Sequence, residues 1–307
     1  MAEPIDMKAG EPAAHCGVVA VVGRTNAGKS TLVNRLVGEK VSIESPVSQT
    51  TRTTVRGVLT EERGQLVLLD TPGLHRSRNL LGRTMNKAAR GGADGADAVL
   101  LVCDASRDPR EEDEGWMSRL ARRGNGAPVV VFLNKSDRSC HEKAFRQAWS
   151  AASAAAAAPR FLRGSARTGE GVDALLSALF SALPPGPLLF DGDTLSDHPR
   201  RLAVADLIRE QFFRQFDDEL PHAIGVGTDE IDESSRPVRV KATAYVRRGN
   251  QKGIVLGEKG RSLRAVKRRA EAELSKFFDA PCVLDIWIRV EPDWDENFFL
   301  LRQLGYR

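Results

Sequence analysis

Gly23-Arg24-Thr25-Asn26-Ala27-Gly28-Lys29-Ser30 follows the apolar run Val18 to Val22 and precedes a helical pattern that opens on Thr31. The order reads as strand, glycine-rich loop, helix. Gly23 and Gly28 let the backbone curl until its N–H groups point at one centre, where they cradle phosphates, with Thr25 and Ala27 as loop residues. Lys29 supplies a cation to the β- and γ-phosphates, and Ser30 offers a hydroxyl to Mg²⁺. The stretch therefore predicts a nucleoside triphosphate site at the carboxyl edge of a parallel sheet.

Three further segments arrive in a matching order. Asp70-Thr71-Pro72-Gly73 ends the apolar run Leu66 to Leu69, which sets the Asp70 carboxylate beside the phosphate crevice, able to hold a metal through water. Gly73 can then offer its N–H to a γ-phosphate. Alone, this segment is equally a strand-ending turn. Asn134-Lys135-Ser136-Asp137 follows Val129 to Leu133 and has the form of a guanine reader, since the Asp137 carboxylate can accept from the ring N–H and the exocyclic amine together. Ser165-Ala166, after Phe161 to Arg163, has the form of a base-supporting loop.

Together these motifs resemble the translation-factor-related GTPases over about the first 183 residues. Within that group Gln49-Thr50-Thr51-Arg52 is similar to the first switch of the Era family. The similarity implies that Thr51 binds Mg²⁺ in the triphosphate state, with Thr50 its competitor, and that Gly73 is the second switch contact. Leu74 stands where Ras-type enzymes carry a water-orienting glutamine, so slow intrinsic hydrolysis is expected. Asn26 resembles the asparagine that helps hold K⁺ beside the phosphates in potassium-dependent relatives; as a plain loop residue it would cap its own backbone. His75 reads as a surface residue.

Composition fits a two-domain protein working in the cytoplasm. The chain has 307 residues, is 41% hydrophobic and carries a net charge of +4. No apolar segment approaches the roughly 20 residues of a membrane helix, and no apolar core follows Met1, so a secretory signal is not expected. Cys16, Cys103, Cys140 and Cys282 have no metal spacing and read as reduced thiols. Residues 1–14 read as a disordered leader.

The first domain, residues 15–183, reads as alternating βα units: an α/β domain with a mostly parallel sheet and helices on both faces. Val55 to Leu59 supplies an antiparallel edge strand, and the alanine-rich run Ala151 to Ala158 the end of a surface helix. Pro184-Pro185-Gly186-Pro187 interrupts both helix and strand and opens a linker over 184–199.

Residues 200–307 form a second unit. In it Gly257-Glu258-Lys259-Gly260 joins two helical patterns, the second carrying Leu263, Val266, Ala270 and Leu274 at helical spacing. Strand patterns at Pro237 to Tyr245 and Cys282 to Val290 complete an order of helix, two strands, two helices, strand. A G-x-x-G loop between two helices in this order is the backbone clamp of an α+β type II KH domain: its glycines admit the RNA backbone closely, while loop N–H groups and Lys259 meet phosphates, flanked by Lys252, Arg261 and Arg264. From Arg236 to Lys276 thirteen Lys or Arg stand against three acids, a concentration of positive charge suited to a polyanion.

A P-loop GTPase followed by a G-x-x-G domain resembles the Era family throughout, including Met85-Asn86-Lys87-Ala88-Ala89, Glu219-Leu220-Pro221 and Leu304-Gly305-Tyr306. The resemblance implies a GTP/GDP switch that binds the 3′ end of small-subunit ribosomal RNA and assists small-subunit maturation, as a monomer. A GTPase acting on a cell-division partner or peripherally on the inner face of the membrane is the competing expectation, because a basic surface also suits anionic lipid. A passive RNA-binding protein with a decayed nucleotide site conflicts with the intact Lys29, Ser30, Asp70 and Asp137. The segment Glu296-Asn297-Phe298-Phe299 departs from the family pattern, and its phenylalanines are expected to pack on the KH core rather than stack on bases.

Overall fold

A computed structural model describes residues 14–44, 52–72, 80–122, 126–152, 159–216 and 220–306. The first sheet has six strands in the order β2-β3-β1-β4-β5-β6. They are β1 (His15–Val22), β2 (Val55–Glu61), β3 (Gly64–Asp70), β4 (Ala98–Asp104), β5 (Val129–Asn134) and β6 (Arg160–Arg163). Only β2 runs antiparallel, against β3. All seven residues of β4 are buried, as a central parallel strand with both faces covered requires.

Alternate residues of β1 serve opposite faces. Val19 and Val21 pack with α1 (Lys29–Val37) and α5 (Val172–Ala182), while Ala20 and Val22 pack with α3 (Glu111–Ala121) and α4 (Glu142–Ala152). Helix α4 extends through Ala152, and the remainder of the alanine run lies outside the described residues. Helix α2 (Leu80–Asp94) instead turns Leu81 and Met85 toward the second domain.

The second sheet is β7 (Gly225–Asp232), β8 (Val238–Val246) and β9 (Cys282–Val290), with β8 antiparallel to β7 and parallel to β9. Helices α6 (Arg200–Gln215), α7 (Gly249–Leu256) and α8 (Arg261–Phe277) cover one face of it. Inward Val238, Val240, Ala242 and Ala244 alternate with outward Arg239 and Lys241. Val266, Ala270 and Leu274 of α8 are fully buried, the stripe that the helical spacing called for.

Two findings add to the sequence reading. Residues 184–199 are strapped to the first domain instead of hanging between the two. Val58 donates to Leu195 O at 2.9 Å, and the buried Gln65 amide accepts from the N–H groups of Leu189 and Phe190. The strap covers the free edge of β2, which would otherwise present unpaired backbone. Second, Leu81 and Met85 share an apolar cluster with Tyr245, Trp294, Leu301, Leu304 and Tyr306, the last three on or just after α9 (Phe298–Gln303). The C-terminal turn is thus part of the contact between domains.

Phe298 and Phe299 correct an expectation. They are 61% and 83% exposed and pack edge-on against each other, not on the KH core. At 100° per residue, a short helix carrying four consecutive apolar residues cannot turn all of them inward, and α9 buries Leu301.

Candidate nucleotide and RNA sites

The phosphate loop is held in shape from three sides. Gly23 has φ +147°, and a Cβ there would stand 2.3 Å from Val102 O of β4; Gly28 has φ +95°, and its Cβ would stand 2.3 Å from the Asn134 amide nitrogen. A side chain at Gly23 would displace the backbone of β4, and one at Gly28 would push the Asn134 amide aside and strain a left-handed backbone. Asn26 is also left-handed, at φ +60°, and exposed. Its carbonyl accepts from Lys135 Nζ at 2.7 Å.

Two residues of the guanine-reading tetrad therefore act as braces. Asn134 donates to Ala27 O at 2.8 Å and accepts from the Ala166 N–H at 2.9 Å, tying the phosphate loop to the Ser165-Ala166 loop. Lys135 also reaches Asp104 at 2.9 Å. Ser136 N–H donates to Gly164 O. Asp137 stands at the rim, with its carboxylate partly exposed. The Ser165 hydroxyl and the Arg167 guanidinium, 2.6 Å away and well exposed, hold its carboxyl below the usual range. A ligand that paired with Asp137 would have to displace Arg167, a small penalty because the Arg167 side chain is 72% exposed.

Arg24 turns its side chain away from the centre of the loop, with one guanidinium nitrogen donating to Thr25 O at 3.4 Å. Its guanidinium is buried between Asp104 at 3.0 Å and Asp113 at 3.1 Å. Burial pushes the Asp104 carboxyl up, yet the Ser106 hydroxyl, Lys135 and Arg24 together bring it down to about 2. Asp104 and Asp113 carry no motif of their own; the one local signal for Asp104 was its place at the end of an apolar run.

Asp70 is fully buried at the end of β3, in register with Val21, and the Thr71 hydroxyl donates to Val21 O at 2.8 Å. Thr31 donates to Glu44 at 3.0 Å. Thr50, Thr51, Gly73, Leu74 and His75 lie outside the described residues. Among the described residues no group of three His, Cys, Asp or Glu could hold a metal ion, so a metal here would rest on Ser30, Asp70 and the phosphates.

Lys29 is the buried cation of the site. Its Nζ donates to Gly23 O at 3.2 Å and Arg24 O at 2.9 Å, and burial lowers its pKa to about 8 against the raising influence of Asp70. Bound phosphates would restore its proton. Nucleotide binding above pH 8 should then take up a proton, and affinity should fall about fivefold from pH 8 to pH 9. Calorimetry in two buffers of different ionisation enthalpy checks this. The same shift makes the empty protein gain stability as pH rises above 8, because the folded chain then releases a proton that the unfolded chain still holds.

In the second domain Gly257 at φ +68° and Gly260 at φ +77° shape the loop between α7 and α8. A Cβ on Gly257 would meet Ser262 Oγ at 2.3 Å. Lys259, left-handed at φ +50°, is exposed, and Glu258 pairs with Arg261 at 3.1 Å across the loop mouth. Arg264 is exposed on the first turn of α8 and Lys252 stands on α7. The amino end of α8 points at the same loop, so backbone N–H groups and cations converge where a phosphate would lie.

A family model described as a 50S ribosome-binding GTPase matches residues 18–135, and a KH domain model matches residues 219–295. The GTPase Era of Stenotrophomonas maltophilia (strain K279a) is 39% identical over 297 residues, covering 95% of this chain and 97% of that protein. The GTPase Era of Rippkaea orientalis is 36% identical, covering 95% and 92%. Among solved structures, Era in complex with MgGDPNP and nucleotides 1506–1542 of 16S ribosomal RNA superposes with a TM-score of 0.88 at 33% identity, covering 95% of this chain and 99% of that one. An Aquifex aeolicus Era variant bound to GDP·AlF₄⁻ gives 0.87 at 33% identity, with the same coverage.

Proposed function

This chain belongs to the Era family of GTPases, and from that premise we propose that it couples its GTP state to binding of the 3′ region of small-subunit ribosomal RNA during subunit maturation. The observation that carries the reading is the pairing of a braced phosphate loop with a basic G-x-x-G clamp in one chain. GTP lies with its phosphates on the loop N–H groups and Lys29 and its base against Asp137. Mg²⁺ held by Ser30 and, through water, Asp70 would neutralise the charge that develops on the transferring phosphoryl group. On this reading the site of action is the cytoplasm, with any membrane attachment peripheral. Among the described residues no helix is long and apolar enough to cross a membrane.

Linkage tests the coupling. An oligonucleotide copying the RNA 3′ end should raise affinity for a GTP analogue by the same factor as the analogue raises RNA affinity, typically about 5- to 150-fold for coupled sites. Independent binding of the two ligands would reduce the chain to a GTPase tethered to an RNA-binding module. Stimulation of hydrolysis by anionic vesicles but not by RNA would favour the membrane reading.

Leu74 offers no proton acceptor, so water must be positioned by other means. We assign Asn26 to a K⁺ beside the phosphates, since its left-handed backbone and exposed side chain place it at the loop rim. Hydrolysis should be faster in K⁺ than in Na⁺ at equal ionic strength, and Asn26→Ala should abolish the difference. Equal rates in the two salts would remove the cation.

A further inference from the structure

A cavity of about 880 Å³ lies where the two domains meet, walled by the segment leading into β2, α2, α6, β7 and the turn after α9. Its size falls within the roughly 300–1,000 Å³ of small-molecule sites. None of its walls comes from the phosphate loop, the guanine-reading segment or the G-x-x-G loop. Ala205, Val226, Tyr245 and Leu304, each at most 7% exposed, give it a buried and largely apolar floor, and Ala88 of α2 adds a small side chain from the first domain. Arg52, 3% exposed, lines one end but spends its donors on Ile224 O at 2.8 Å and His222 O at 3.0 Å.

The exposed part of the wall is of a different kind. Arg56, Arg201 and Arg302 bring three guanidinium groups against the carboxylates of Asp197 and Asp229. Asp197 pairs with Arg56, and Asp229 accepts from the Thr243 hydroxyl at 2.8 Å. Arg201 donates to Thr228 O and Asp229 O through one nitrogen, Nη2, so its Nε and Nη1 hydrogens are unspent on any described residue. The Arg302 guanidinium has no hydrogen bond or ion pair among the described residues. Tyr245 adds a buried donor. A buried tyrosine ordinarily hydrogen-bonds through its hydroxyl, yet this one has no such partner among the described residues. Burial, and then the neighbouring Asp229 carboxylate, push its pKa up, so it remains an O–H donor at neutral pH.

We propose that this cavity binds a small organic phosphate monoester, with its body on Ala205, Val226 and Leu304, its phosphate on the arginine rim at Arg201 and Arg302, and the Tyr245 hydroxyl donating to one of its oxygens. Guanidinium groups match phosphate oxygens in pairs, and the apolar floor favours a ligand that carries a ring or a chain behind the charge. Neither half of such a ligand satisfies both parts of the wall.

Phenyl phosphate is the probe, titrated by calorimetry into the full chain with Mg²⁺ and saturating GDP, so that the phosphate loop is already occupied. Inorganic phosphate and phenol supply its two halves. Saturable binding of phenyl phosphate is expected, at least about tenfold tighter than that of either half. Arg302→Gln and Tyr245→Phe should each weaken it by about tenfold, the worth of a hydrogen bond to a charged group. Ala88→Phe should block it without changing any charge, and Lys259→Gln, on the G-x-x-G loop, should leave it unchanged. Absence of saturable binding would overturn the proposal. So would equal affinity for inorganic phosphate, which would reduce the site to a charged surface, and so would a loss in Lys259→Gln with binding kept in Arg302→Gln, which would put the probe on the RNA clamp. Should circular dichroism show Ala88→Phe or Tyr245→Phe to be unfolded, Arg302→Gln decides, because its side chain is exposed and no core packing depends on it: weakened binding supports the site and unchanged binding overturns it.

Discussion

Asp137→Asn is expected to weaken GTP binding by at least on the order of 100-fold, and to admit xanthosine triphosphate, because a buried-face hydrogen-bonding pattern rejects a ligand whose groups it leaves unpaired. The carboxylate accepts from the ring N–H and the amine of guanine. An amide can accept from one and turns an N–H toward the other, whereas xanthine presents a carbonyl there that the amide can serve. The fold should be untouched. Asp137 gives up its charge pairing with the exposed Arg167, and an amide oxygen can still accept from the Ser165 hydroxyl, while Asn134 and Lys135 keep bracing the phosphate loop through Ala27, Ala166, Asn26 and Asp104. Competition binding with GTP, ATP and xanthosine triphosphate is the measurement; an unchanged GTP preference would mean that the base is read elsewhere.

That separation of roles inside one tetrad shows what a sequence can and cannot convey. The strands were legible because a parallel sheet covered on both faces demands unbroken apolar runs, and β4 is apolar from Ala98 to Cys103. The phosphate loop was legible because only glycine fits beside Val102 O and the Asn134 amide. The bracing role of Asn134 and Lys135 was hidden in a motif whose better-known purpose is recognition. The sequestration of Arg24 by Asp104 and Asp113 was invisible, since the three come from a loop, the end of β4 and the first turn of α3, and the pairing exists only after folding. The strap of residues 184–199 read as linker because its prolines forbid regular structure, yet isolated bridges at Pro185 and Ser196 need none. Arg52 read as the last letter of a switch motif; its partners lie some 170 residues away in the chain.

Replacing Glu258 and Lys259 together by aspartate is expected to lower RNA affinity by at least about 10-fold near physiological salt, since lost phosphate contacts dominate such binding. The change takes the two loop residues from a net charge of zero to minus two at the point where α8 and the loop N–H groups converge. The backbone should accept it. Lys259 sits at φ +50°, a region that aspartate tolerates better than most residues, and Gly257 and Gly260, whose conformations shape the loop, are untouched. Both positions are exposed, so no core packing is lost. The dependence of log affinity on log salt should become shallower by about 0.7 for each phosphate contact removed from a single strand, which distinguishes a lost contact from a misfolded domain. GTP affinity measured without RNA should stay at the parent value, because the nucleotide site is built wholly from the first domain. Adding RNA should then no longer shift it, as reciprocity requires when one ligand is lost. Undiminished RNA binding in this variant would mean that the strand does not cross the G-x-x-G loop, and the open face of the sheet, where Trp287 is 54% exposed beside outward Lys241 and Arg239, would become the surface to mutate next.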